Sequence, residues 1–98
     1  MDTLLLLQAW YSRQCNGRWE HEWGIEIGTL DNPGWRVKID LADTSLEELE
    51  INQLVIDNGK DDWMHCRKEG RQFYGHGDPS KLERILLFFL KEIENGNS

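Results

Sequence analysis

Residues 23–41, WGIEIGTLDNPGWRVKIDL, decide the fold. Before the turn, Trp23, Ile25 and Ile27 sit at odd positions, separated by the even-numbered Gly24, Glu26 and Gly28. After it, Trp35, Val37, Ile39 and Leu41 are again odd, and Arg36, Lys38 and Asp40 are even. A period of two sends the two sets to opposite faces of a strand. Asp31-Asn32-Pro33-Gly34 between them has turn chemistry. Pro33 presets φ at the second turn position, Gly34 tolerates positive φ at the third, and Asp31 or Asn32 bonds nearby backbone N–H groups. The prediction is a β-hairpin with one apolar and one charged face, which the remaining elements extend or cover.

Working outward, residues 2–15 read as a helix capped by Asp2 or Thr3. Leu4, Leu7 and Tyr11 share one side of it, with Leu6 and Trp10 adjoining. Asn16-Gly17 supplies a stop. Trp19 and His21 share the parity of Trp23, so the first strand is expected to start early. Its apolar face then carries Trp19, His21, Trp23, Ile25 and Ile27, and its other face Arg18, Glu20, Glu22, Gly24 and Glu26. Downstream, Ala42–Ser45 reads as a loop, 48–56 as a strand, and 57–61 as a turn. Residues 62–68 and 71–76 read as strands joined at Glu69-Gly70. In the first of these, either Trp63 and His65 or Met64 and Cys66 face inward. Asp78-Pro79 and Ser80 with Glu83 are competing starts for a final helix. That helix has a stripe of Leu82, Ile85, Leu86, Phe89 and Ile93; Asn95–Ser98 is expected to fray. The order α-β-β-β-β-β-α predicts a two-layer α+β fold: an antiparallel, mostly meandering sheet of about five strands with both terminal helices on one face.

Length and composition bound the rest. The 98 residues suit one domain over 1–98. Five tryptophans give a small core large apolar groups to bury. A net charge of −7 disfavours nucleic acid and anionic membrane as partners and favours a basic one, or serves solubility alone. No stretch approaches a membrane span, and Leu4–Leu7 lacks the flanks of a signal peptide. Cys15 and Cys66 form no CxxC, so a cytoplasmic chain with reduced thiols and no cofactor is expected.

No phosphate-binding glycine loop is present, and the histidines and cysteines lack metal-site spacing. A nucleophilic reading would use Cys66 with His65 or His76. The carboxylates form three groups: Glu20, Glu22 and Glu26 with Asp40 on the paired strand; Glu47, Glu48 and Glu50; and Asp57, Asp61 and Asp62. Such groups read either as a solvated sheet face with cross-strand ion pairs or as a patch for a basic partner.

The blocks LQAWYSRQCNGRWEHEWG (7–24), TLDNPGWRVKIDL (29–41), DDWMHCR (61–67) and FYGHGDP (73–79) carry a resemblance. The chain resembles the immunity protein 53 family of bacterial polymorphic toxin systems. That resemblance implies an α+β intracellular antidote, not an enzyme, that neutralises a cognate toxin by binding it. The free chain is expected to be a monomer. The family's recurring positions fall on Trp19, Pro33, Gly34, Trp35, Asp61, Asp62 and Trp63; the turn residues and indoles read as framework, to which the strand pattern adds Trp23, and the two aspartates do not. Toxins of such systems include nucleases, whose clefts are basic. Glu20, Glu22, Glu26, Asp40, Asp61 and Asp62 are therefore the expected toxin contacts. The alternative is a small enzyme or ligand-binding domain built on His65, Cys66 and His76.

Overall fold

The computed structural model describes residues 2–96. The elements are α1 (Thr3–Gln14), α2 (Trp19–Glu22), β1 (Ile25–Leu30), β2 (Gly34–Asp40), β3 (Leu54–Asp57), β4 (Trp63–Glu69), β5 (Gln72–Gly77) and α3 (Leu82–Gly96). The five strands form one antiparallel sheet in the order β1-β2-β5-β4-β3. The terminal helices cover one face, giving the expected two-layer α+β arrangement. No helix among the described residues is long and apolar enough to cross a membrane.

The parity read from the sequence holds in the centre of the sheet. Val37 and Ile39 of β2, Phe73 of β5, and Met64 and Cys66 of β4 are all buried beneath the helices. Met64 and Cys66 are thus the inward pair of β4. In α3 the stripe Ile85, Leu86, Phe89 and Ile93 is buried, with Leu82 packed against it. Phe89 meets Trp10 edge-on at 5.2 Å and Phe73 at 5.1 Å between ring centroids, so α1, α3 and β5 converge there. The α3 backbone continues to Gly96, past the expected fraying point at Asn95; residues 97 and 98 lie outside the described residues.

Four expectations about local structure are corrected. Residues 19–22 are a helical turn, not strand. The Asn16 side chain accepts from the N–H groups of Arg18 and Trp19, and Glu20 accepts from those of Asn16 and Gly17, which closes the chain into a turn. The buried side of α1 is Thr3, Leu7 and Trp10, whereas Leu4, Leu5, Leu6 and Tyr11 are exposed. Residues 48–53 are not strand; β3 is only Leu54–Asp57. The chain must travel from β2 to the far edge of the sheet, and residues 41–53 make that crossing past the β4–β5 turn. Leu46 is buried and Leu49 and Ile51 pack on the core along the way. Lys68 Nζ fixes the crossing by donating to the Glu47 carbonyl.

The fourth correction concerns Gly34. The turn is Asp31-Asn32-Pro33, and Gly34 is already in β2, opposite Leu30, without positive φ. Its need for hydrogen in place of a side chain is steric: a Cβ there would collide with the Gly77 carbonyl oxygen. Gly75 is constrained in the same way, because a Cβ would overlap Ile85 of α3. The two positions set how closely β2 approaches β5 and how closely α3 approaches the sheet.

Candidate interaction surface

The strand register places the polar side chains of the uncovered face in rows. One row runs Glu26, Lys38, Tyr74, Arg67; the next runs Gly28, Arg36, His76, His65, Val55. The Arg67 guanidinium lies 5.1 Å from the Tyr74 ring centroid. The middle of this face is therefore cationic and aromatic, with Glu26 and Glu69 at its margins, each in an exposed ion pair with Lys38 or Arg67. A carboxylate-rich layer across this face, as the parity of 18–27 predicts, does not form, because Glu20 and Glu22 lie on α2.

The six candidate acids occupy two ends of the molecule. Glu20, Glu22, Glu26 and Asp40 gather around α2 and the start of β1. Glu20 first closes the turn before α2; its carboxyl is held below the usual range by its own backbone N–H and then by those of Asn16 and Gly17. Glu22 and Glu26 are exposed. Asp40 is buried and receives the Gly24 N–H at 2.9 Å and the Gln72 amide at 2.8 Å. It fixes the entry to β1 and is not available as a contact. A recess lined by Glu22, Trp23, Gly24, Glu26, Lys38 and Asp40 opens here.

Asp61 and Asp62 stand at the other end, in the β3–β4 turn. Asp61 is exposed; Asp62 is held by Lys81. Lys81 Nζ bridges Asp62 Oδ1 and Asp78 Oδ2, each at 2.8 Å. Asp78, 1% exposed, also accepts from the N–H groups of Trp63 and Ser80 and from the Ser80 hydroxyl. The network ties β4 to the start of α3, and Trp35 adds its indole N–H to the Pro79 carbonyl. Of the two competing starts of the final helix, the one built on a Ser80–Glu83 capping box does not form. Ser80 serves Asp78, and Glu83 accepts from Thr3, joining α3 to α1. The Gly77-Asp78-Pro79 step and the lone Lys81 were the only sequence signals of this buried cluster.

These bonds set the acid response. Asp78 is held well below the ordinary carboxylate value, by Lys81 first and Ser80 second. Asp62 is lowered by Lys81 and then Asn58, and Lys81 is raised by Asp62 and then Asp78. Unfolding frees carboxylates that take up protons more readily, so their contribution is present above about pH 4 and fades as pH falls through the lowered values. The raised Lys81 contributes below about pH 10.5 and fades as pH rises through its folded value. Asp78→Asn is expected to lower stability at neutral pH and to flatten its decline between about pH 5 and pH 2, as read by urea denaturation across that range. An unchanged slope would place the acid sensitivity elsewhere.

The residues of the nucleophilic alternative are not brought together. His65 and His76 pair across β4 and β5 on the uncovered face, and Cys66 points the other way into the core. Burial pushes the Cys66 thiol up to about 12. The His76 imidazole is held below its usual value by burial, then by Arg67, Arg36 and His65, so it is neutral at pH 7. A thiol reagent at pH 8 should label Cys15 in the native chain and reach Cys66 only on unfolding. Rapid native labelling of Cys66 would contradict this. Among the described residues no group of three or more His, Cys, Asp or Glu side chains is placed to hold a metal ion.

A second depression adjoins the acidic recess. It lies between α1 and β1, is lined by Leu4, Leu7, Gln8, Tyr11, Gly24 and Ile25, and has a volume of about 360 Å³. Gly24 and Ile25 belong to both depressions. Of its lining, Leu4 is 59% exposed; Leu5 of α1 is 61% exposed and Ile27 of β1 42% exposed.

A family model described as immunity protein 53 matches residues 4–94. No curated protein and no solved structure shows significant similarity to the chain.

Proposed function

Because the chain belongs to the immunity protein 53 family, we propose that it is the antidote of a toxin pair, neutralising a cognate bacterial toxin by direct binding. Family membership carries this reading. The acidic end formed by Glu20, Glu22 and Glu26 supports it, since it offers carboxylates beside an exposed apolar groove on one rigid edge of the sheet. A toxin that holds phosphates, as a nuclease does, has a basic cleft, and these acids suit it. Glu22 and Glu26 are the primary contacts in this account. Asp61 and the exposed side of Asp62 form a secondary site, and Asp40 positions β1 from beneath. The antidote acts as a monomer in the cytoplasm of the cell that makes the toxin. The enzyme alternative gains nothing from the geometry, because its thiol and imidazoles lie on opposite faces of the sheet.

The test is expression of the protein encoded by the neighbouring reading frame, with and without this chain. Growth arrest relieved by the chain, with the two proteins purifying together, is the expected result. Arrest that the chain does not relieve would end the proposal.

A further inference from the structure

The two edges of the sheet are unlike. β3 is four residues long, a short edge of the kind that resists added strands. Its groove against α3 is flanked by the cations Arg84 and Lys91. β1 is six residues long, carries a single charged side chain, Glu26, and borders an apolar groove next to an acidic recess.

The backbone of β1 is also presented outward. The Gly24 carbonyl accepts from the Asp40 N–H. Along the unbroken antiparallel register, bonded and non-bonded pairs alternate, so Glu26, Gly28 and Leu30 turn their polar groups to β2. Ile25, Ile27 and Thr29 therefore turn theirs away from the sheet. Their side chains face the helical layer, where Ile27 is left 42% exposed.

We propose that β1 is a docking edge onto which the toxin adds an extended segment as a sixth strand. Alternate apolar side chains of that segment enter the groove between α1 and β1, against Leu4, Tyr11 and Ile25, with the exposed Ile27 further along the same face of β1. Basic residues at its flank meet Glu22 and Glu26 across the shared Gly24-Ile25 wall. Main-chain bonds supply affinity and the groove supplies specificity. The acids select a cationic toxin segment over β3 of a second copy, whose flank carries Asp57. The inference rests on the antidote reading and names the surface that carries it out.

Amide exchange on the chain, free and bound to an inactive form of the neighbouring reading frame's product, tests it. The amides of Ile27 and Thr29 should exchange rapidly in the free chain and at least about tenfold more slowly in the complex. Thr29→Pro removes an outward donor without removing a ladder bond and should weaken binding by about 10- to 100-fold. Leu4→Ser, at an exposed position, should weaken it by about tenfold without requiring the strand to accept proline. A complex that forms with these amides unprotected, or with both variants binding as the parent does, overturns the docking edge and leaves the antidote reading intact. Absence of any complex with the parent chain removes that reading, and this inference with it. Self-association of the free chain through β1, abolished by Thr29→Pro while toxin binding is unchanged, would also overturn it.

Discussion

Phe89→Ala is expected to lower stability by about 3–5 kcal/mol, the cost of emptying a fully buried aromatic site. Phe89 stands where α1, α3 and β5 meet, edge-on to Trp10 and tilted against Phe73. Its loss removes transfer free energy and leaves a cavity whose walls are two further aromatic rings and the sheet. Those walls cannot collapse without shifting a helix. For a chain of this size the melting temperature should fall by more than about 10 °C. Urea denaturation with an unchanged m-value would show that stability, and not the extent of unfolding, had changed. A loss below about 1 kcal/mol would mean that α1 and α3 do not share the core described above.

Reversing Glu22 and Glu26 to lysine together should slow association with the toxin by about tenfold or more at low salt. Both side chains are exposed, and the Glu26–Lys38 pair is long at 3.9 Å, so the fold should lose little. Glu20 is left in place because its carboxylate holds the Asn16 and Gly17 N–H groups of the turn before α2. The difference should shrink in about 0.5 M salt, where screening shortens the reach of surface charge. Stopped-flow mixing at two salt concentrations measures both effects. Equal association rates for the parent and the double variant at low salt would remove this end of the molecule from consideration.

The elements that the sequence made legible are those with one dominant period. β2 alternates cleanly because it is central and covered on one face, and α3 carries a stripe wide enough to leave its orientation in no doubt. α1 was harder. Four consecutive leucines, Leu4–Leu7, fit any helical face, and spacing groups Leu4, Leu7 and Tyr11 on one side, whereas the buried side is Thr3, Leu7 and Trp10. The segment at 19–22 failed for a different reason. Its alternation of aromatic and acidic residues imitates a strand, while Asn16 and Glu20 supply hydrogen bonds that favour a helical turn. Leu49 and Ile51 alternate as a strand would, but they line a crossing whose length is imposed by strand order, a long-range property that no local pattern contains.

The candidate site inherits the error at 19–22. Taken as strand, Glu20, Glu22 and Glu26 align on a flat face; with α2 helical, they ring a corner beside the open edge of β1. Asp40 looked equivalent to its acidic neighbours because burial at the end of a strand leaves no mark on parity. The Asp62–Lys81–Asp78 cluster was missed as a unit because its members are brought together only by the β4–β5 hairpin folding back beneath α3.

Titration of the purified chain with the purified product of the neighbouring reading frame puts the account to its most direct test. A saturable one-to-one complex, tight enough to persist at nanomolar concentrations, is the predicted result. A chain that protects cells yet shows no binding at micromolar concentrations would contradict it, since protection would then come from something other than one protein held against another.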